Sequence, residues 1–254
     1  MNPLIISLIA LGCIFGSMLL GMFLRRVLPD HHLSDESKDV MKLGTAMIAT
    51  LAALVIGLLI ASAKSSFDTL NNGIIQTGSK VMLLDRVMAN YGSETRETRD
   101  LLRRRLASVI EQLWPKEMWG QTEFVTPDPR AGIEAIEDKL RQLSPQNDAQ
   151  RWLQSRALQL SSDLEDTRWL LFTKLGQSSY PMAFLVILVS WLVIIFFSFG
   201  LFSPRNVTVI IVLFVCALSA AGSLYLIQEL DRPYGGLITV SSAPLRTALA
   251  NLGQ

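Results

Sequence analysis

Two histidines and two cysteines are the only imidazoles and thiols among 254 residues, and where they stand limits the chemistry on offer. His31 and His32 are neighbours in a polar stretch that also holds Asp30, Asp35 and Glu36. The donor types suit a metal, but adjacent histidines do not share a helical face and no third ligand is patterned with them, so a polar loop is expected. Cys13 and Cys216 both lie inside long apolar runs, where a thiol behaves as a small apolar side chain and says nothing about redox compartment. No GxSxG, Walker loop, HExxH, dinucleotide fingerprint or CxxC occurs. The chain does not read as an enzyme, and neither a metal nor another cofactor is expected.

The densest polar signal is Gln228-Glu229-Leu230-Asp231-Arg232-Pro233-Tyr234-Gly235-Gly236-Leu237. Pro fixes one dihedral and the glycines admit left-handed geometry, so a specific turn is implied at Glu229, Asp231, Arg232, Pro233, Tyr234 and Gly235. Asp231 can cap, pair with Arg232 or help hold a cation; a structural turn is the default. Ser241, Ser242 and Pro244 then announce a short helix starting near Pro244. Arg103-Arg104-Arg105 could gather anions or lipid headgroups, but a solvated helix face is the plainer reading, since Asp100 stands four residues from both Arg96 and Arg104.

These groups must be positioned by elements of an unusual kind. Leu4 to Leu24, Leu43 to Ala63, Pro181 to Phe202 and Val207 to Ile227 contain no Asp, Glu, Lys, Arg or His. A hydrocarbon core of about 30 Å is crossed by roughly 20 helical residues, and backbone amides in lipid must be satisfied within the helix. The expected fold is all-α, an integral membrane protein with four transmembrane helices arranged two plus two around a helical soluble insert. Its parts are 1–64 (spans one and two), 65–176 (helical bundle), 177–230 (spans three and four) and 231–254 (surface segment). A mean hydropathy of +0.36 agrees with this, and a net charge of +1 gives no case for a nucleic-acid partner. Ala10-Leu11-Gly12-Cys13 has some likeness to a lipoprotein cleavage site, but the apolar stretch runs eleven residues past Cys13.

Within the insert, Ser65 to Tyr91 continues span two, with Asn71-Asn72-Gly73 a point where it can break. Ser93 reads as the N-cap of a helix to Trp114, striped by Leu102, Leu106, Val109 and Leu113. Thr126-Pro127-Asp128-Pro129 is loop, Ile133 to Leu143 a shorter helix, and a last helix begins near Pro145. That one carries Leu153, Ala157, Leu160, Leu164, Thr167 and Leu171 at 4-3-4-3-4 spacing. Between the spans, Pro29 and Asp30 end the first helix and Ser203-Pro204-Arg205-Asn206 is a tight turn.

The spans constrain mechanism. Proton relays and ion-coupled carriers place ionisable groups at membrane depth, and none is present; a pore lined by backbone, hydroxyls and apolar constrictions needs none. Thr45, Ala49, Ala53, Gly57 and Ala61 recur every four residues in span two, and Gly12, Gly16, Ser17 and Gly21 are small positions in span one. Such stripes let helices approach closely, and packing within one subunit is favoured over packing between subunits. Four helices scarcely enclose an aqueous path, so conduction implies a ring of copies. The pore-lining candidates are Thr45, Ala49, Thr50, Ala53, Gly57 and Ser62, against the plainer reading that these hydroxyls bond back to the preceding turn.

Glu229-Leu230-Asp231-x-Pro233-Tyr234-x-Gly236 followed by Val240-Ser241-Ser242-x-Pro244-Leu245 resembles the signature of the bestrophin-like family of bacterial membrane proteins. Leu84-Asp85-Arg86, Tyr91-Gly92 and Trp114-Pro115 resemble it too, and the likeness covers nearly the whole chain. The resemblance implies kinship with bestrophins, which are pentameric anion channels, often calcium-gated through an Asn-Pro-Phe-Gly turn followed by acidic residues. Here only Pro233-Tyr234-Gly235 matches that turn, and Gly236 to Ala250 contains no Asp or Glu. A calcium clasp of that kind is not expected. Sidedness stays open: Arg25, Arg26, Lys38, Lys42 and Arg205 against Arg232 and Arg246 place the insert outside, whereas the resemblance places it in the cytosol.

The expected function is an oligomeric channel of the bacterial inner membrane, passing small anions along span two. The alternative is a non-conducting membrane scaffold whose insert binds a partner protein. The expected partners are the lipid bilayer, further copies of the chain and small ions, with no nucleic acid.

Overall fold

A computed structural model describes residues 2–25, 35–114, 133–175, 180–204 and 206–253, and among these the chain is helical without a strand. The elements are α1 (Pro3–Leu24), α2 (Asp35–Tyr91), a 3-10 turn (Ser93–Thr95), α3 (Arg96–Leu113), α4 (Ile133–Arg141), α5 (Asp148–Leu175), α6 (Met182–Phe202), α7 (Val207–Leu230) and α8 (Ala243–Asn251). Four of them, α1, α2, α6 and α7, are long and apolar enough to cross a membrane. The expectations for Pro29, Asp30, His31, His32, Arg205 and Thr126 to Pro129 lie outside the described residues. The chain divides into two compact units, Met1–Phe67 with Ser178–Ile238 and Asp68–Gln177 with Thr239–Gln254.

In the first unit α1 starts where Asn2 accepts the Leu4 amide at 3.2 Å and Pro3 supplies a preset dihedral at the first helical position. α1 and α6 run parallel. Ser17 Oγ donates to the Val193 carbonyl at 3.1 Å, and at the C-terminal ends the Arg25 guanidinium donates to the Ser203 carbonyl. Between those points a Cβ on Gly21 would strike the Phe197 carbonyl, and one on Gly200 would strike that of Met18. Two glycines thus bring backbone onto backbone, the way helices associate in lipid. Phe15 meets Phe214 of α7 edge-on, with centroids 5.1 Å apart. Ile14, Met18, Leu188, Phe196 and Leu224 fill the shared core, and α2 adds Ala52 and Leu59.

In the second unit the rest of α2 pairs antiparallel with α5. Lys80 Nζ donates to the Asp163 carbonyl at 3.0 Å and to Thr167 Oγ1 at 2.8 Å, and Gln150 Nε2 donates to the Tyr91 carbonyl at 3.1 Å. The inward face of α5 holds Ala157, Leu160, Leu164 and Leu171 buried, four of the six positions expected there, with Leu153 and Thr167 half-buried. Gln154 Nε2 closes the C-terminus of α4, donating to the carbonyls of Leu140 and Leu143 at 2.8 and 3.0 Å.

Several local expectations are corrected. α2 does not break at Asn71-Asn72-Gly73: a Cβ on Gly73 would stand 2.6 Å from Leu171 Cδ2, so this glycine admits a side chain of α5 and the helix continues. Ser93 opens a 3-10 turn and caps nothing. Gly92 turns the chain at φ 138°, and Thr95 Oγ1 donates back to the carbonyls of Met88 and Gly92 at 2.5 and 2.9 Å. The buried stripe of α3 is Thr98, Leu102, Leu106 and Ile110, all four apart, while Val109 is exposed and Leu113 half-buried. Over one short straight helix the 3.6-residue turn keeps i,i+4 positions on a face, whereas a strict heptad serves a supercoil. α5 begins at Asp148, where Asn147 accepts the Gln150 amide at 2.8 Å, three residues after Pro145.

Candidate functional site

Two regions hold the residues singled out above. The first is the N-terminal part of α2. Ala52 and Leu59 are buried in the core of the first unit, at 2% and 9% exposure, and Ala63 is buried at 0%. Of the pore-lining candidates, Thr45 and Ala49 are half-buried, and Thr50, Ala53, Gly57 and Ser62 are exposed. A Cβ on Gly57 would meet nothing within 4 Å. Thr50 Oγ1 donates to the Ala46 carbonyl at 2.9 Å, the back-bond anticipated as the plainer reading for such hydroxyls.

The small-residue stripes therefore divide. Ser17 and Gly21 pack within the subunit, as expected. Gly12, Gly16, Ala53, Gly57 and Ala61 do not: all are exposed, and no atom lies within 4 Å of a Cβ on any of the three glycines among them. Within-subunit packing fails for these because α2 turns its other side, Ala52 and Leu59, to the core, and Gly12 and Gly16 lie on the side of α1 away from Ile14 and Met18.

The second region follows α7. Glu229 is 3% exposed, and its carboxylate accepts the Leu237 amide and the Tyr225 hydroxyl. A Cβ on Gly236 would strike that carboxylate, so only glycine lets the turn fold over it. The Arg232 amide donates to the Glu229 carbonyl at 3.0 Å and the Gly235 amide to the Arg232 carbonyl at 3.4 Å, which closes the expected turn. Pro233 is buried, Asp231 and Tyr234 are half-buried, and Arg232 and Gly235 are exposed. Burial pushes the Tyr234 phenol up to about 12. Tyr180, just before α6, also reaches about 12 through burial and then the nearby Asp231 charge, with Arg232 acting the other way. Glu229 is thus bonded inside the turn. Among the described residues no group of three His, Cys, Asp or Glu could hold a metal ion.

A third centre, in the second unit, was not anticipated. Asp85, 5% exposed, is gripped by Arg99 through Nε at 2.7 Å and Nη2 at 2.8 Å, and its Oδ2 accepts the Gly253 amide at 3.3 Å. Trp114 Nε1 donates to the Val240 carbonyl at 2.8 Å, and α8 rests on α2 where a Cβ on Gly78 would be 3.0 Å from the Pro244 carbonyl. Asp85 and Trp114 stood in the signature stretches, but nothing in the spacing pointed to Arg99 or Gly253 as their company.

Comparison with known proteins agrees with this architecture. Three crystal structures of a bacterial bestrophin homologue from Klebsiella pneumoniae superpose over nearly all of the chain. One variant gives a TM-score of 0.68 at 15% identity, covering 99% of this chain and 97% of that one. A second gives 0.64 at 16%, covering 95% and 99%. The structure phased on zinc gives 0.63 at 16%, covering 93% and 96%. At such identity the likeness establishes the fold. Among curated proteins none matches the sequence significantly. The Bestrophin-like domain, by contrast, matches residues 12–245. With that match over nearly its whole length, and with four apolar helices, the chain is a membrane-embedded member of the Bestrophin-like family.

Proposed function

We propose that this chain is one subunit of an oligomeric channel in the bacterial inner membrane, passing small anions along the N-terminal part of α2. α1, α2, α6 and α7 cross the bilayer two and two, and the helices between them form the extramembrane bundle. The observation that carries the reading is the two-faced character of α2. One face is buried on its own subunit at Ala52, Leu59 and Ala63, while Thr50, Ala53 and Gly57 stand uncovered on the other side. Copies arranged about an axis would turn that face to a shared centre. Family membership supports a channel, and spans without charge suit conduction better than proton coupling.

Iodide efflux from vesicles reconstituted with the protein tests this. Flux above empty vesicles is expected, and Gly57→Trp, whose Cβ has nothing of its own subunit within 4 Å, should cut it at least about tenfold, a loss of roughly 1.4 kcal/mol in barrier terms. Vesicles that hold their gradient with and without protein would refute the channel.

A second reading, a sealed scaffold whose bundle recruits a partner protein, draws on Trp152, 65% exposed on α5. It predicts that Trp152→Ala abolishes partner capture and that no flux occurs.

A further inference from the structure

The part of α2 in the second unit has an uncovered face of its own. Steps of three and four residues carry it through Asn72, Gln76, Ser79, Leu83, Arg86 and Asn90, all exposed. Between Thr69 and Tyr91 α2 has eight exposed positions, and Arg86 is the only ionised side chain among them. α3 is the contrast: seven of its nine exposed positions are charged, as a face turned to bulk water ordinarily is. The other charges of this stretch of α2 are committed elsewhere. Asp85 is buried under Arg99 and the Gly253 amide, and Lys80 is tied to Asp163 and Thr167 of α5. What remains exposed is three carboxamides, the Ser79 hydroxyl and one guanidinium beside Ile75, Leu83 and Ala89, with no carboxylate. A guanidinium and carboxamide N–H groups, with no carboxylate to repel it, suit a small negative ligand.

We propose that this face of α2 is the anion-selecting section of the path. Arg86 sets the sign of the permeant ion, and the carboxamides of Asn72, Gln76 and Asn90 replace part of the hydration of a small monovalent anion such as chloride or iodide. The inference rests on the channel reading above. A single cation repeated around an axis raises the local concentration of anions and lowers that of cations, an effect of roughly tenfold or more in a confined path.

The test is the reversal potential of the reconstituted full chain under a potassium chloride gradient. Wild type should reverse towards the chloride potential. Arg86→Glu should move it towards the potassium potential, with the permeability ratio changing at least about tenfold; Arg86→Gln should fall between, and Arg104→Glu, on the water-facing side of α3, should match wild type. A second measurement needs no current. In a background lacking Cys13 and Cys216, Gln76→Cys should react faster with an anionic thiol reagent than with a cationic one, each normalised to a free thiol, and Arg86→Glu should reverse that preference. A conducting wild type whose Arg86→Glu variant keeps its reversal potential overturns this inference alone. A silent wild type overturns the channel and this section with it. Equal normalised thiol rates together with loss of assembly in Arg86→Glu would mark the face as a contact between copies, which also overturns the proposal.

Discussion

The two units are held together by different means. In the first, α1 and α6 meet backbone against backbone, Gly21 on α6 and Gly200 on α1, with the Ser17 hydroxyl and the Arg25 guanidinium bonding across beside them. Its exterior is as apolar as its interior, with Leu8, Phe23, Leu54 and Val212 more than half exposed. Burying apolar surface cannot then select one arrangement, because the same residues are at home on either side in lipid, and closeness of fit decides. The second unit has polar outer faces and is stitched by directed bonds from Lys80, Asp85, Trp114, Gln150 and Gln154. Shape selects in one unit, and hydrogen-bond register selects in the other.

The sharpest way to break that contrast is Gly200→Leu. A branched side chain there meets the Met18 carbonyl head-on, and no rotamer avoids it because the clash is already at Cβ. Loss of a monodisperse peak in detergent size-exclusion is expected. Gly12→Ala and Gly16→Ala, which meet nothing within 4 Å, should run as wild type. If all three behave alike, close backbone contact is not what holds the unit.

Next in size is Arg99→Met. It strands the Asp85 carboxylate at 5% exposure with only the Gly253 amide for company, and removing one partner of a buried ion pair costs about 3 kcal/mol or more. A thermal unfolding midpoint lowered by several degrees is expected, while Arg103→Met, an exposed neighbour, should leave it in place. An unchanged midpoint in Arg99→Met would mean Asp85 is satisfied by water and the stitch is idle.

Much of this layout was legible in the residues. The four charge-free runs coincide with α1, the N-terminal part of α2, α6 and α7 to within a few residues, because a 20-residue apolar stretch has few alternatives to a helix. The inward stripe of α5 was legible for a similar reason, since a long amphipathic helix repeats its signal many times. What could not be read were features set by one distant partner. Gly73 looked like a helix breaker and is a seat for Leu171. Nothing local to Asp85 says that Arg99, fourteen residues on, and Gly253, at the far end of the sequence, converge on it. The turn at Glu229 was foreseen as a turn, but that its carboxylate would be buried inside and roofed by Gly236 depends on a fold-back eight residues later.

Trp114→Phe is a gentler probe of the second unit. It keeps an aromatic ring, though a smaller one, and removes the donor to the Val240 carbonyl, a bond of about 1 kcal/mol. The effect should be local: amide exchange in α8 rises while that of α1 and α6 is unchanged. Exchange rising everywhere would deny the stitch its local character.

The turn after α7 belongs to the first unit yet carries titrating groups, and high pH tests it. Tyr180 and Tyr234 both stand at about 12 against an ordinary phenol at 10.0. A phenol raised by folding favours the neutral form, so its contribution is whole below about pH 10 and is lost as pH rises through 12. Phenolate absorbance should show Tyr180 and Tyr234 titrating late, and Tyr180→Phe and Tyr234→Phe should each remove one late step. An ordinary midpoint for either would mean that water reaches the turn.

The smallest effect is expected at Glu97, where Lys139 donates a hydrogen bond at 2.8 Å. That bond, and then the Lys139 charge, holds the Glu97 carboxyl below its ordinary 4.5. The sign is opposite to that of the tyrosines. A carboxyl lowered by folding contributes above its ordinary value, and the contribution fades as pH falls through the lowered one. Glu97 is nevertheless on the surface, and an exposed pair is screened by salt and must hold two long side chains in one geometry. Glu97→Gln should therefore leave the unfolding midpoint at neutral pH unchanged in physiological salt and lower it slightly at low ionic strength. A shift in salt as large as that of Trp114→Phe would show that surface charge, and not the buried stitches, sets register in the second unit.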